Sequence, residues 1–226
     1  MKRLDLILSL IRPGARIADV GCDHAYIPIA AVKRGICPEA YASDVRRGPL
    51  SRAEKNVAEA GLSEKITLRL ADGLDGAEGF DPDTVIIAGM GGELIADIIG
   101  RAEFVKVPEK ELILQPMTCA DELRRYLLGS GFSIMRERLA YEDRHIYQIF
   151  TAKYTGSPQK YSEAELQVGR DHEDTELVFR LYEKYLKKYE KMIKGRTAAG
   201  SDVEDVLGIY GELKEKYEDR TALQKS

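Results

Sequence analysis

The sequence predicts an α/β protein: a doubly wound, mostly parallel sheet with an antiparallel last strand, followed by an α-helical coiled-coil hairpin. Three observations lead there. Short β-branched runs alternate with helical segments up to about residue 154, which is the pattern of a parallel sheet covered on both faces. The last two strand-like runs follow almost back to back, too close for a crossover helix, so they must run antiparallel. Beyond them the strand pattern stops and apolar residues recur in heptads.

In chain order, Leu4, Ile7, Leu8 and Ile11 mark a leading amphipathic helix stopped by Pro13-Gly14. Strands are expected over residues 16–20, 40–44, 65–70, 84–89, 110–115, 132–141 and 145–154. Helices are expected over 26–35, 49–61, 93–101 and 121–129. Thr155-Gly156-Ser157-Pro158 reads as a linker. Val178, Tyr182, Tyr185, Tyr189 and Met192 then form one seam, and Val203, Val206, Tyr210, Leu213 and Tyr217 a second. A glycine-containing turn between them makes an antiparallel helical hairpin. Tyrosines at such positions fill a seam more often than they stack on bases.

Composition narrows the classes of function. No stretch is long and apolar enough to cross a bilayer, and the N-terminal apolar run is broken by Asp5 and Ser9, unlike a signal peptide. A soluble cytoplasmic protein is expected, with no membrane partner. Cys22, Cys37 and Cys119 match neither a disulfide framework nor a zinc pattern, and His24, His145 and His172 are dispersed, so no metal is expected. A net charge of -4 argues against a general nucleic-acid coat. A local basic stretch nevertheless runs from Arg180 to Arg196 through Lys184, Lys187, Lys188, Lys191 and Lys194, against Glu183 and Glu190. Its plain alternative is a solvated helix face.

The chemistry concentrates where strands end. Residues 17–30 read IADVGCDHAYIPIA, an apolar rise into Asp19-Val20-Gly21 followed by a helix. A glycine there lets backbone approach a ligand and aims helix amides at it. A dinucleotide would need further glycines to cradle its pyrophosphate, and Asp23-His24-Ala25 stands in their place. Asp19 and Asp23 would repel a diphosphate but suit the ammonium end of S-adenosyl-L-methionine (SAM). The alternative is a ligand-free turn capped by Asp23. Asp44 ends the second strand, where it can accept from ribose hydroxyls, and Asp72-Gly73 follows the third, within reach of an adenine amine. Each alone is an ordinary cap or turn residue. Three acids at the carboxyl ends of successive strands make one coherent edge. Gly89-Met90-Gly91-Gly92 closes the fourth strand, either as an acceptor pocket lined by backbone or as a turn packing helix on strand.

With these residues in view, Asp19-Val20-Gly21-Cys22-Asp23-His24-Ala25-Tyr26-Ile27-Pro28, Gly89-Met90-Gly91-Gly92 and Leu114-Gln115-Pro116-Met117 resemble the bacterial tRNA (adenine-22-N1)-methyltransferases, a family of class I SAM-dependent enzymes. The resemblance spans essentially the whole chain, from Lys2-Arg3-Leu4 to the final hairpin. Cys22 departs from the Ser or Thr expected, and Met117 from an Asn. The resemblance implies a Rossmann-like SAM-binding catalytic domain over 1–156 and a tRNA-contacting helical hairpin over 157–226. The implied reaction methylates N1 of adenine 22 in the tRNA D arm.

On that reading Asp19, Gly21, Cys22, Asp23, Asp44, Asp72, Gly73 and Gly89 bind cofactor. Gly89, Met90, Gly91, Gly92, His24 and Tyr26 border the reacting groups, and Arg46, Arg47, Arg52, Lys184, Lys187, Lys188 and Lys191 contact RNA. His24 is more a structural residue than a proton shuttle, because adenine N1 already carries its lone pair and no base need create the nucleophile. Catalysis is then largely positioning, after the target base has left its stack. Glu142, Asp143, Arg144, His145 and Tyr147 at the closing hairpin either cover the pocket or face solvent. The resemblance leaves a protein partner unknown. Two rivals remain: a methyltransferase for a small molecule or protein, and a non-catalytic SAM-sensing module.

Overall fold

The computed structural model describes residues 2–157, 159–170, 172 and 175–225; Pro158 of the expected linker lies outside them. The chain forms two compact units, Met1–Gln159 and Lys160–Ser226.

The first unit is built on a seven-stranded sheet in the order β3-β2-β1-β4-β5-β7-β6. Its strands are β1 (Ile17–Val20), β2 (Ala40–Asp44), β3 (Ile66–Leu70), β4 (Thr84–Gly91), β5 (Glu111–Thr118), β6 (Phe132–Glu142) and β7 (His145–Tyr154). The pairs from β3 through β5 are parallel, whereas β7 lies antiparallel between β5 and β6. Helices α1 (Arg3–Leu10), α2 (Tyr26–Lys33), α3 (Arg47–Glu59), α4 (Gly92–Arg101) and α5 (Ala120–Gly129) accompany the sheet. Every residue of β1 and β2 is buried, as central strands covered on both faces require.

Strand order reverses at β1, which pairs with β2 on one side and β4 on the other. A crevice opens at such a switch, at the carboxyl ends of the strands. The β4–β5 register slips there, between Ala88 and Met90 and again between Met90 and Gly91. Gly89 takes the irregular position with φ +82°. Pro116, which has no amide to donate, is tolerated in β5 because it pairs with Met90 inside this irregularity. The bulge is why β4 runs two residues past its expected end.

The leading helix carries more burial than one amphipathic stripe predicts. Ile7, Leu8 and Ile11 are buried, but so are Leu6 and Leu10. Deeper in the unit, α5 and the closing hairpin share a buried ion pair. Arg124 Nε donates to Glu137 Oε1 at 2.8 Å and its Nη2 to Gln148 Oε1 at 2.8 Å, with Arg124 0% and Glu137 1% exposed.

The second unit contains α6 (Glu163–Val168), α7 (Thr175–Ala198) and α8 (Glu204–Lys225). Helices α7 and α8 bury Val178, Tyr182, Tyr189, Val206 and Leu213. The buried tyrosines among these are seam filler. The short α6 was not expected. Its start is a capping box: Ser162 Oγ accepts the Glu165 amide, and the Glu165 carboxylate accepts the Ser162 amide. No helix of the described residues is long and apolar enough to cross a membrane.

Candidate active site

One cavity of about 770 Å³ occupies the crevice at the carboxyl ends of β1 to β4. Asp19, Gly21, Cys22, Asp23, Tyr26, Asp44, Arg46, Asp72, Gly73, Gly89 and Met90 all line it. The three strand-end carboxylates therefore face one space. His24, Gly91, Gly92, Arg47 and Arg52 do not line it.

Asp19 is 3% exposed and its carboxyl group makes no hydrogen bond within the described chain. Burial pushes its pKa up to about 8. An unpartnered buried acid that opens on a cavity is suited to a cationic ligand. Asp44 is also buried and helps shape the turn: one oxygen accepts the Asp23 amide at 3.3 Å and the other the Arg46 amide at 2.8 Å, which leaves each oxygen a second lone pair. Ser43 Oγ donates to the Gly73 carbonyl at 2.9 Å and so ties the end of β2 to the Asp72-Gly73 turn. Asp72 is exposed, and both its oxygens meet the Arg101 guanidinium at 3.3 Å.

The β1–α2 turn folds by alternating into left-handed backbone: Gly21 at φ +69°, Asp23 at +46° and Ala25 at +58°. Only the glycine adopts this without cost, and the other two are held by their hydrogen bonds. The Cys22 amide donates to the Ser43 carbonyl at 2.9 Å, the Asp23 amide to Asp44, and the Ala25 amide to the Cys22 carbonyl at 2.7 Å. Three of the backbone donors of this turn, the Cys22, Asp23 and Ala25 amides, are therefore already engaged within the protein. Ala25, not Asp23, stands at the N-cap of α2, and no side chain caps that helix. The bland alternative, a turn existing to be capped by Asp23, does not describe this geometry.

Cys22 is buried, and desolvation together with the Asp19 and Asp44 charges raises its pKa. It stays a thiol and serves as small filler. The glycine run after β4 divides in two. Gly89 faces the cavity, and Met90 folds its methyl group over Gly21, where any Cβ would collide with it. Gly92 instead packs against the next strand end, where a Cβ would strike the Cys119 carbonyl, and Gly91 lies beside Thr118. Gly89 and Met90 thus border the cavity, while Gly91 and Gly92 serve packing. His24 stacks on Tyr26, with ring centroids 5.2 Å apart, and its carbonyl accepts from Asn56 Nδ2 at 3.0 Å. Tyr26 is 60% exposed at the cavity rim.

Sequence reasoning missed one wall. Arg3, Leu4 and Ile7 of α1 line the cavity, with Met117 and Glu142 from β5 and β6. Nothing in the local pattern links residue 3 to residue 115 or 142. On the second unit, Lys184, Lys187, Lys191 and Lys194 are exposed along one face of α7 without a carboxylate partner among the described residues. Lys188 lies over the Tyr185 and Tyr189 rings, at 5.2 and 5.4 Å.

Known proteins resemble this chain in sequence and in fold. A family model described as "Methyltransferase domain" matches residues 1–150. The tRNA (adenine(22)-N(1))-methyltransferase of Bacillus subtilis (strain 168) is 33% identical over 168 residues, covering 74% of this chain and 71% of that protein. A Streptococcus pneumoniae protein solved in complex with S-adenosyl-L-methionine is 34% identical with a TM-score of 0.79, covering 95% of this chain and 99% of that one. The B. subtilis M1A22 tRNA methyltransferase TrmK superposes with a TM-score of 0.78 at 27% identity, covering 98% of this chain and 97% of that one.

Proposed function

The chain belongs to the methyltransferase-domain family, among the tRNA (adenine(22)-N1)-methyltransferases, and on that premise we propose that it methylates N1 of adenine 22 in tRNA, using SAM. The observation that carries the cofactor reading is the shared cavity: Asp19, Asp44 and Asp72 line one space, beside a turn whose Cys22, Asp23 and Ala25 amides are already hydrogen-bonded. When bound, SAM supplies the methyl group and its own neutral leaving group.

The residues present fit that ligand. Asp19 and Asp23 receive the ammonium of its amino-acid end, and Asp44 accepts from the ribose hydroxyls. Asp72, with Gly73, lies where the adenine amine would be read. Gly89 and Met90 border the space left for the acceptor base, and Tyr26 at the rim offers it a stacking face. No side chain need abstract a proton before transfer. The enzyme's work is to extract the base, align it and exclude water. Residues 157–226 serve as the tRNA-contacting part through the Lys184, Lys187 and Lys191 face of α7, joined by Lys188 and by Arg46, Arg47 and Arg52. The working place is the cytoplasm, with its tRNA.

Incubation of the protein with SAM and unmodified tRNA, followed by nucleoside analysis, tests this directly. The expected product is 1-methyladenosine at position 22. Binding of NAD in preference to SAM, or methyl transfer to proteins or small molecules but not to tRNA, would overturn it.

Asp19 makes cofactor affinity depend on pH. A cation binds the ionised acid, whose pKa is about 8 without ligand. Affinity should therefore rise about tenfold per pH unit up to near 8, and turn down above it as the α-ammonium of the ligand loses its own proton. Because the folded pKa lies above the unfolded value near 3.8, this group stabilises the ligand-free fold at low pH and loses that contribution as pH rises through 8. Calorimetry from pH 6 to 7.5, where the ligand stays cationic, should show the slope in the native chain and none in Asp19→Asn.

The lysine face is tested by salt. Changing Lys184, Lys187 and Lys191 to Ala should reduce the slope of log affinity for tRNA against log salt by about 2 to 3, leaving SAM affinity unchanged. An unaltered slope would free this face of RNA contact.

A further inference from the structure

We propose that Arg3 forms, with Gln115 and Tyr147, a binding site for the phosphodiester of the nucleotide being methylated; this rests on the tRNA reading above. Arg3 begins α1 and enters the cavity beside Gly89, where a Cβ would stand 3.9 Å from its Nη1. That Nη1 donates to Gln115 Oε1 at 3.0 Å. Gln115 is 0% exposed, and its Nε2 donates to the Pro116 carbonyl at 2.9 Å, which fixes the amide with its oxygen toward Arg3. The guanidinium lies over the Tyr147 ring, 5.3 Å from its centroid. The Glu142 carboxylate accepts the Arg3 backbone amide at 3.4 Å, so it anchors the helix end without pairing the side chain.

The result is a braced cation with nothing to neutralise it. No carboxylate lies within 4.0 Å of its guanidinium among the described residues, and Nε and Nη2 make no hydrogen bond there. The strand-end side chains Asp19, Asp44 and Asp72 make the far side of the cavity acidic, so an Arg held at its Gly89 edge marks a different ligand group. That group is not the base itself. Adenine N1 becomes cationic on methylation, and a guanidinium beside the ring would oppose the reaction. A phosphate matches both the charge and the planar fork of free donors. Anchoring the backbone there would turn the base inward, toward Gly89 and Met90.

The test uses Arg3→Gln and Arg3→Lys in the full chain, with tRNA binding and single-turnover methylation measured across a salt series. Arg3→Gln should lower kcat/KM for tRNA about tenfold or more and flatten the log affinity against log salt slope by about 0.7 to 0.9. Arg3→Lys should restore that slope but only part of the rate, because an ammonium lacks the fork. SAM affinity should not change in either. A native salt slope in Arg3→Gln, or a loss of activity matched by lost SAM affinity, overturns the phosphate site. If the native chain places no methyl group on adenine 22, the tRNA reading itself has failed.

Discussion

Replacing Asp44 with Ala is expected to weaken SAM binding about a hundredfold or more. Two effects add. The carboxylate would lose two charge-assisted hydrogen bonds to ribose hydroxyls, each worth about 1.5–3 kcal/mol. It would also release the Asp23 and Arg46 amides that it accepts at 3.3 and 2.8 Å. Asp23 sits at φ +46°, which costs a non-glycine backbone some strain, so a turn deprived of that bond should loosen. Asp44→Asn keeps one acceptor oxygen and should fall between the two. Calorimetry on the folded variants decides the matter, and a loss below about threefold would remove Asp44 from the cofactor site.

The second large effect concerns stability. Arg124 and Glu137 are both buried to within a percent, between α5 and the hairpin of β6 and β7. Desolvating two charges is tolerable only while they meet each other and Gln148. Glu137→Ala leaves a buried guanidinium without its counter-charge and should cost about 3–5 kcal/mol, lowering Tm by roughly 6–20 °C. The paired change Arg124→Met with Glu137→Leu removes both charges and should recover most of that loss. If Glu137→Ala melts within about 2 °C of the native chain, the pair is not what orders this layer.

Most of the sheet was readable because most strands are apolar or β-branched runs bounded by turn residues. The expectation over 40–44 coincides with β2, and that over 145–154 with β7. The antiparallel closure followed from loop length alone. The strand-end acids were legible for a related reason: a parallel sheet collects the carboxyl ends of its strands, so Asp19, Asp44 and Asp72 converge once the order of elements is known. What escaped was set by distance or by brevity. Arg3 meets Gln115 across 112 positions, and no periodicity encodes that. The six residues of α6 are too few for a helical repeat to show, although Ser162 and Glu165 spelled out its start. The glycines after β4 carried two meanings. Only the fold separates Gly89, which borders the cavity, from Gly92, which lets α4 pack against Cys119.

The contact between the Arg3 amide and Glu142 spans 139 positions and closes the wall of the cavity. During translation at about 5–20 residues per second, α1 must therefore wait roughly 7–30 s for its partner to be made. Its apolar Leu6, Ile7, Leu8 and Leu10 have no finished sheet to cover them in that interval. A nascent chain halted before β6 thus presents an unseated sticky helix to ribosome-associated chaperones, and lacks the enclosure on which its chemistry depends.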